Sequence, residues 1–345
     1  MNESRKILIV DDNSVNLKMA EQVLQEFSKP VPVTSGREAL KFLEKNIPDL
    51  ILLDISMPDM DGFQVMEKIK ENPKTASVMV IFLTAKDDTD TEVKCLELGA
   101  MDFVRKPFVP KLLENRVKHA LEILDYRRKL ERDKTRKIES IQREVIMSIA
   151  NLIENRDGTT GQHVKRTSRY VTQLVTLIRE KGLYPDISEE YYYNIIKAAP
   201  LHDIGKIAIP DAILQKGSQL TPEEAEKMKE HTVIGGDIIM SNFSGIEDPD
   251  YVKVAANVAR YHHERWDGSG YPQGLKGKEI PLEARIMAIA DVFDALISER
   301  CYKEAFTLDG AFEIMKESAG KQFDPELLDL FFSEPEQIER LAAAL

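Results

Sequence analysis

The C-terminal half of the chain concentrates side chains that bind transition metals in proteins. Its candidate ligands are His163, His202, His231, His262, His263, Asp203 and Asp291. Because adjacent residues on a helix point about 100° apart, the pairs 202–203 and 262–263 can each serve two neighbouring metals, with an aspartate as the bridge. Imidazole and carboxylate ligands without thiolate favour Fe, Mn, Ni or Zn over a structural cysteine-type zinc site. For His119, which stands apart, we expect an ordinary packing or surface role.

The grouping of these residues indicates hydrolytic phosphoryl transfer. Two metals that share one solvent molecule lower its pKa, supply hydroxide at neutral pH and neutralise the charge that develops on a phosphodiester. A net charge of -12 argues against DNA or RNA as a partner. A small anionic ligand is still allowed, because metals and local lysines can reverse the field inside a pocket.

A second group of polar side chains follows the apolar runs of the N-terminal third. Asp11 and Asp12 follow the first run, Asp54 the third, Thr84 the fourth and Lys106 the fifth. In a parallel sheet these positions meet at one edge, where three carboxylates would repel one another unless Mg²⁺ shares them. One carboxylate could then accept a phosphoryl group whose oxygens are held by the hydroxyl and the ammonium. Taken alone, Asp11 or Asp12 would more simply be a helix cap.

Five short β-like runs separated by helical stretches position these groups. The runs cover residues 7–10, 31–34, 50–53, 78–83 and 101–104. This alternation predicts an α/β doubly wound, flavodoxin-like domain with a parallel sheet and helices on both faces. From about residue 149 helical segments dominate and predict an all-α domain. The pairs Thr221-Pro222 and Asp324-Pro325 mark two of its helix starts.

The connection between the two domains carries apolar residues at three- and four-residue spacing. They are Val117, Leu121, Leu124, Ile138, Ile141, Val145 and Leu152. A polar stretch, 131–137, separates the two groups. It is either a solvated connector or the middle of one continuous helix that pairs in a dimer and transmits motion between the domains.

Length and composition are those of a folded chain with two domains. The 345 residues exceed one ordinary core, and 43% hydrophobic with 31% charged residues excludes a disordered chain. Cys95 and Cys301 form no ligand-like pair and indicate reduced thiols. The N-terminus has no signal-peptide pattern, and no stretch approaches the roughly 20 apolar residues of a membrane span. We therefore expect a cytoplasmic protein without a membrane partner.

The N-terminal pattern resembles the receiver domain of bacterial two-component response regulators, over residues 1–122. The matched positions are Asp54 (phosphoacceptor), Asp11 and Asp12 (Mg²⁺ ligands), and Thr84 and Lys106 (phosphate sensing). Phe103 stands where the family keeps a switch aromatic, and 57–62 matches the loop after the phosphoacceptor. The resemblance implies a sensor histidine kinase as phosphodonor.

The C-terminal motifs resemble the HD-GYP family of phosphodiesterases. His202-Asp203 matches the HD motif, and the run 262–272, HHERWDGSGYP, matches the signature that names the family. The runs 290–296 and 322–325 are also similar to it. The resemblance implies hydrolysis of cyclic di-GMP, a bacterial second messenger, to linear pGpG and in some members on to GMP. We expect this domain at 149–345, joined to the receiver domain by a helical linker at 123–148.

The same resemblance implies two metals, Fe or Mn, and assigns their ligands. One metal would be held by His163, His202, Asp203 and Asp291, and the other by Asp203, His231, His262 and His263. Asp203 and Lys206 would be the catalytic residues. Lys206 would lie near the scissile phosphate and the bridging hydroxide, as an electrostatic stabiliser or as the proton donor to the leaving oxygen.

The resemblance also assigns substrate contacts and partners. Gly270 and Tyr271 would shape the ligand pocket, and Arg300 and Lys303 would hold ligand phosphates, although a solvated helix end would also explain this basic pair. A homodimer is expected, and diguanylate cyclases are candidate partners.

One position departs from the family pattern. Some members carry a glutamate four positions before the first histidine that helps to hold a third metal, and Thr159 stands there. A threonine cannot replace a bridging carboxylate, so we expect a binuclear site, with pGpG as the product. Cys301 also stands where a proline is common, and nothing in the sequence explains the change.

Two other functions are compatible with the same residues. The domain could be a cyclic di-GMP receptor or interaction scaffold with little turnover, or it could hydrolyse another cyclic dinucleotide. The complete ligand set argues against a scaffold, which has no need of all seven side chains.

Overall fold

The computed structural model describes residues 5–85, 89–157, 162–243, 248–298 and 305–343. The chain divides into two compact units, Met1–Lys137 and Ile138–Leu345. The predicted domain limits at 122 and 149 stay a prediction.

The first unit contains a five-stranded parallel sheet, as the sequence predicts. Its strands are β1 Lys6–Val10, β2 Lys29–Val33, β3 Leu50–Asp54, β4 Met79–Thr84 and β5 Asp102–Arg105, in the order β2-β1-β3-β4-β5. Strand β2 begins two residues earlier than predicted, because Pro30 and Pro32 interrupt the run of β-forming apolar residues from which the strand was predicted. Both prolines are tolerated since β2 lies at the edge of the sheet, where a missing N–H breaks no ladder.

Helices cover both faces of this sheet. They are α1 Ser14–Leu24, α2 Gly36–Leu43, α3 Gly62–Glu71, α4 Thr89–Glu97 and α5 Pro110–Glu154. Successive residues of β1 and β3 point to opposite faces: Ile7 and Leu50 join one buried cluster, whereas Leu8 and Ile51 join the other. The first cluster includes Val117 of α5. The doubly wound architecture is therefore confirmed.

Helix α5 runs without a break through the predicted linker. Its 45 residues include the polar stretch 131–137, so the predicted continuity of the helix is confirmed. Residues 129–145 are all exposed. Pairing of this helix with a second copy stays a prediction.

The second unit is helical, as predicted. Its helices are α6 His163–Lys181, α7 Glu189–Ala198, α8 Asp211–Leu214, α9 Pro222–Asn242, α10 Pro249–Tyr261, α11 Leu282–Ile297, α12 Leu308–Glu317, α13 Pro325–Phe331 and α14 Pro335–Ala343. Short 3-10 turns span Asn155–Asp157, Ala199–Leu201, Ile204–Ala208 and Gly277–Glu279. Thr221 and Asp324 cap α9 and α13 with their side chains, which confirms both predicted helix starts. Among the described residues, no helix is both long enough and apolar enough to cross a membrane.

Candidate metal centre

The predicted metal ligands come from five segments of the second unit. His163 begins α6, His231 lies inside α9 and Asp291 lies inside α11. The pair 202–203 lies between two 3-10 turns, and the pair 262–263 follows the end of α10. Segments far apart in sequence thus bring all seven side chains to one place.

Four of these side chains form a first cluster, which we call the His163 group. Its members are His163, His202, Asp203 and Asp291. The Nε2 atom of His163 lies 3.3 Å from Nε2 of His202 and 3.4 Å from Oδ1 of Asp291. Oδ2 of Asp203 lies 3.4 Å from Nε2 of His202. These separations suit ligands that converge on one cation.

A second cluster, the His231 group, shares one aspartate with the first. Its members are Asp203, His231, His262 and His263, with ligand atoms within 4.8 Å of one another. Oδ1 of Asp203 lies 3.4 Å from Nε2 of His231 and 3.7 Å from Nε2 of His262. The two carboxylate oxygens of Asp203 therefore face different groups, as a bridging ligand requires.

The donor atoms at this junction fit bound metals. Oδ1 of Asp203 and the Nε2 atoms of His231 and His262 are buried and make no hydrogen bond within the described part of the chain. A buried polar atom without a partner destabilises a fold by about 1–3 kcal/mol. A cation between them would satisfy all three, and the nitrogen and oxygen donors suit a divalent transition metal.

Burial keeps most of these imidazoles neutral, which is the form that binds a metal. It lowers the pKa of His202 to about 4 and also lowers the pKa of His231 and His263. For Asp203, burial opposes ionisation, but the ammonium group of Lys206 holds its pKa well below the usual value. The carboxylate is therefore charged at neutral pH.

Main-chain oxygens orient three of the histidines. The Nδ1 atoms of His202, His231 and His262 lie 2.7–3.0 Å from carbonyl oxygens three or four residues earlier in the chain. A carbonyl can only accept, so Nδ1 carries the proton and the unprotonated Nε2 presents its lone pair to the centre.

Lys206 is held beside the shared aspartate. Its Nζ lies 2.7 Å from Oδ2 of Asp203, and its side chain is mostly buried. The turn that carries both residues lies against α9, where a Cβ atom on Gly205 would be 1.9 Å from the carbonyl oxygen of His231. Only glycine permits this approach of Asp203 to His231.

The loop after the histidine pair places Tyr271 beside the His231 group. The rings of Tyr271 and His263 have centroids 4.9 Å apart. Glu264 is buried, and its carboxylate accepts hydrogen bonds from the backbone N–H groups of residues 273, 274 and 275 at 2.7–3.1 Å. A Cβ on Gly270 would lie 2.3 Å from the backbone nitrogen of Arg265, so a side chain does not fit there.

Some predicted residues lie outside the described residues. These are Thr159, Arg300, Cys301 and Lys303. His119, expected to be no ligand, is an exposed residue of α5 whose Nδ1 lies 4.0 Å from a carboxylate oxygen of Glu122.

Sequence reasoning assigned no role to three residues that support the site. Asp294 lies three positions after Asp291, and its Oδ2 is 2.7 Å from Nδ1 of His163. Arg166 lies three positions after His163 and pairs with Asp294. Glu264 is the third. The three-residue spacing on one helix face could have signalled the first two.

The receiver residues meet at the carboxyl edge of the sheet, as predicted. Nζ of Lys106 lies 2.6 Å from Oδ2 of Asp11 and 2.7 Å from Oδ1 of Asp54. Asp11, Asp54 and Thr84 are buried, whereas Asp12 is exposed. Oxygens of Asp11, Asp12 and Asp54 lie close enough to share one cation. This edge could hold Mg²⁺ and a phosphoryl group.

Burial at this edge perturbs the pKa of the candidate phosphoacceptor. Burial raises the pKa of Asp54, and the neighbouring carboxylate of Asp11 adds to the rise, against the opposing effect of Lys106. Sequence reasoning missed Asn16, whose amide donates to both oxygens of Asp11 at 3.1 and 3.2 Å. Phe103 is half-buried against the core on the α2–α3 side.

Comparison with protein families gives the class of each unit. Residues 7–118 match the response regulator receiver domain, and residues 147–327 match the HD domain. The HD match covers more than half of the chain. The class is thus a response regulator whose second domain is an HD domain.

Individual relatives narrow this class. A probable cyclic di-GMP phosphodiesterase of Vibrio cholerae serotype O1 is 41% identical over 97% of this chain and 79% of its own length. The cyclic di-GMP phosphodiesterase response regulator RpfG of Xanthomonas campestris is 38% identical over 97% of this chain and 89% of its own length. A 3'3'-cGAMP-specific phosphodiesterase 2 of Vibrio cholerae is 37% identical over 59% of this chain and 37% of its own. The chain belongs to the family of HD-domain response regulators that includes the first two proteins.

Proposed function

We propose that this chain is a metal-dependent phosphodiesterase of the HD-GYP type that hydrolyses cyclic di-GMP to linear pGpG, under the control of its receiver domain. Two relatives that match 97% of this chain carry the activity in their names. The motif HHERWDGSGYP at 262–272 supports the HD-GYP assignment. A third metal would need a carboxylate at position 159, where the sequence has threonine, so the product pGpG is expected to accumulate.

The observation that carries the proposal is the shared carboxylate of Asp203. One oxygen faces the His163 group and the other faces the His231 group, and three buried metal-ligand atoms at this junction lack a hydrogen-bond partner in the described residues. The His163 group would hold one metal and the His231 group the other. Nitrogen and carboxylate ligands without thiolate suit Fe, Mn, Ni or Zn, and the resemblance to the HD-GYP family narrows our expectation to Fe or Mn.

When bound, such a metal pair lowers the pKa of a shared water molecule and neutralises charge on the phosphodiester. Lys206 contributes a positive charge 2.7 Å from Asp203, where it can stabilise the developing negative charge or donate a proton to the leaving oxygen. Tyr271 is proposed to line the substrate pocket beside His263, with Gly270 allowing the loop to approach. Arg300 and Lys303 remain candidates for phosphate contacts.

Anaerobic purification, metal analysis and a cyclic di-GMP assay with Fe²⁺ and Mn²⁺ test the activity. The active protein is expected to hold two metals per chain. His231→Ala should lose turnover, whereas His119→Ala, a matched change at an exposed histidine, should not. Metal-loaded wild-type protein that leaves cyclic di-GMP intact would refute the proposed reaction.

A receptor role is the second candidate function, and another cyclic dinucleotide is the third. Tight binding of cyclic di-GMP without turnover in the metal-loaded wild type would favour the receptor. The relative named for 3'3'-cGAMP keeps that nucleotide as an alternative substrate. Competition between the two nucleotides in one assay, with kcat/KM for each, separates these cases.

Control by phosphorylation is proposed to act through Asp54, with Mg²⁺ at Asp11 and Asp12 and a sensor histidine kinase as donor. Thr84 and Lys106 would hold the phosphoryl oxygens, and Phe103 would respond to the change. Asp54→Asn is expected to keep metal binding in the second unit but to lose any response to acetyl phosphate. An unchanged response in this variant would contradict the assignment of Asp54.

The exposed apolar residues of α5 support a homodimer. Ile138, Ile141 and Val145 are 47–51% exposed and recur at helical spacing. Burial of such a stripe against a second copy is the coiled-coil arrangement. Sedimentation of Ile141→Lys against wild type tests it, since a dimer held by this face should dissociate. A cytoplasmic location and diguanylate cyclase partners stay predictions.

A further inference from the structure

We propose that Asp294 is a positioning residue that fixes the ring of His163 and thereby sets the affinity of the metal held by the His163 group. The inference rests on the proposed metal centre. It concerns a side chain that is not itself a ligand candidate and that acts through its neighbour.

The orientation of His163 differs in kind from that of three other histidines. His202, His231 and His262 each have Nδ1 against a main-chain carbonyl. For His163 the partner is a carboxylate, with Nδ1 2.7 Å from Oδ2 of Asp294. In both arrangements Nε2 faces the centre. A carboxylate, however, accepts the proton more strongly than a neutral carbonyl.

Asp294 is itself held in place from two sides. Arg166 forms a two-point contact, with Nε 2.5 Å from Oδ1 and Nη2 2.9 Å from Oδ2. The hydroxyl of Ser298 lies 2.8 Å from Nη2 of Arg166 and 3.3 Å from Oδ2 of Asp294. Asp294 is 1% exposed, so water does not compete for its oxygens. The carboxylate cannot turn away from His163 without breaking the fork with Arg166.

This geometry has a direct effect on metal binding. A neutral imidazole has one N–H, and Asp294 can only accept it when ionised. The proton is therefore fixed on Nδ1, the lone pair of Nε2 faces the ligand group, and the negative partner makes Nε2 more basic. Loss of such a partner typically weakens metal binding by about 10–100-fold.

The Asn substitution removes the negative charge beside His163 in either orientation of its amide. If the amide nitrogen faces Nδ1 of His163, it can donate and so favours the tautomer whose Nε2 carries the proton. If it faces Arg166 instead, two donors meet there, and the amide oxygen is left beside Nδ1 as a neutral acceptor that keeps the tautomer but makes Nε2 less basic than the carboxylate does. Because Asp294→Asn alone would leave Arg166 without its counter-charge, the test uses the charge-balanced double variant R166Q/D294N.

A matched control exists in the same unit. Arg285 and Asp324 form another buried pair, with Nη1 2.6 Å from Oδ2, and no histidine is among the partners of either side chain in the described residues. R285Q/D324N therefore reproduces the loss of a buried ion pair without touching a ligand. Asp294→Glu is the second test variant. It keeps the charge opposite Arg166 but moves the carboxylate by one methylene.

The measurement is the stoichiometry and affinity of Mn²⁺ on the metal-free full-length protein, by calorimetric titration. Wild type and R285Q/D324N should bind two Mn²⁺ alike. R166Q/D294N should keep one affinity and weaken the other by about 10–100-fold. Asp294→Glu should give an intermediate loss. Wild-type affinities in R166Q/D294N would overturn the inference, as would wild-type affinities in Asp294→Glu if the double variant does not fold.

Two further outcomes separate this inference from its premise. If wild type binds no Mn²⁺, the proposed metal centre itself is wrong. If R285Q/D324N weakens Mn²⁺ binding as much as R166Q/D294N, the buried ion pairs act only through general stability, and the positioning role of Asp294 is rejected while the metal centre stands.

Discussion

Substitution of Gly205 by alanine tests whether the contact between the turn of Asp203 and helix α9 builds the centre. The new Cβ would lie 1.9 Å from the carbonyl oxygen of His231, 2.6 Å from the backbone nitrogen of Gly235 and 2.8 Å from the carbonyl carbon of His231. Real Cβ atoms essentially never approach closer than 3.0 Å. Backbone atoms cannot rotate out of the way as a side chain can. The turn that carries Asp203 and helix α9 must therefore separate by at least about 1 Å.

This separation acts directly on the shared ligand. Asp203 lies two residues before Gly205, and its Oδ1 is 3.4 Å from Nε2 of His231 on the opposite segment. A misplacement of about 1 Å at a reacting centre lowers the rate by about 100-fold. Forcing extra volume into a packed contact destabilises a domain by about 1–3 kcal/mol. We expect Gly205→Ala to fold, with kcat/KM for cyclic di-GMP reduced about 100-fold and Mn²⁺ affinity weakened.

Gly235→Ala is the matched control on the other side of the same contact. Its Cβ would meet the backbone nitrogen of Gly205 at 3.2 Å and Cβ of Ala259 at 3.3 Å, which shifts of a few tenths of an ångström relieve. Steady-state hydrolysis, Mn²⁺ titration and thermal unfolding of both variants give the comparison. Equal activity of Gly205→Ala and wild type would refute the reasoning, because the close approach would then be unnecessary.

Three other predictions concern the loop, the metals and the buried thiol. Glu264→Gln should weaken at least one charge-assisted hydrogen bond to the loop and destabilise the protein by about 1.5–3 kcal/mol. It should also raise KM more than it lowers kcat. Glu279→Gln changes the acceptor of one exposed hydrogen bond, so it should alter neither the stability nor the kinetic constants. Mn²⁺ at about 100 times its Kd should stabilise the helical unit by about 2.7 kcal/mol for each of the two sites, as thermal unfolding would show, and Asp203→Asn should abolish this effect. Cys95 is fully buried, and burial raises the pKa of its thiol to about 11. At pH 8 it should therefore resist iodoacetamide in the folded protein and react only after unfolding, as peptide mass spectrometry would show.

The elements of the fold were largely accessible from the sequence because their signals are local. Buried strands such as β3 are continuous apolar runs, and Thr221 places a capping box directly before α9. Strand β2 was placed two residues late because its prolines obscure the pattern. The continuity of α5 was left open, since a polar, exposed stretch is equally compatible with a helix and with a connector.

The supporting contacts of the centre were not accessible in the same way. The ligand candidates could be named because adjacent or repeated polar residues in apolar helices are unusual. The bond from His163 to Asp294 joins positions 131 residues apart, and only the packing of α6 against α11 brings them together. The close approach at Gly205 likewise depends on where α9 lies. Such contacts are properties of tertiary packing. The three-residue spacings 163–166 and 291–294 place a supporting residue on the same helix face as a ligand, but they do not tell which helices meet.

The main-chain partners of His202, His231 and His262 have a consequence for how the protein tolerates mutation. A carbonyl oxygen belongs to the backbone, so no substitution of residues such as Ala199 or Met228 deletes the acceptor. Drift in the surrounding side chains can therefore proceed without changing which nitrogen these three rings present. For His163 the acceptor is a side chain, so one nucleotide change in the codon for Asp294 can remove it. The orientation of His163 is thus more sensitive to mutation than the orientation of the other three histidines.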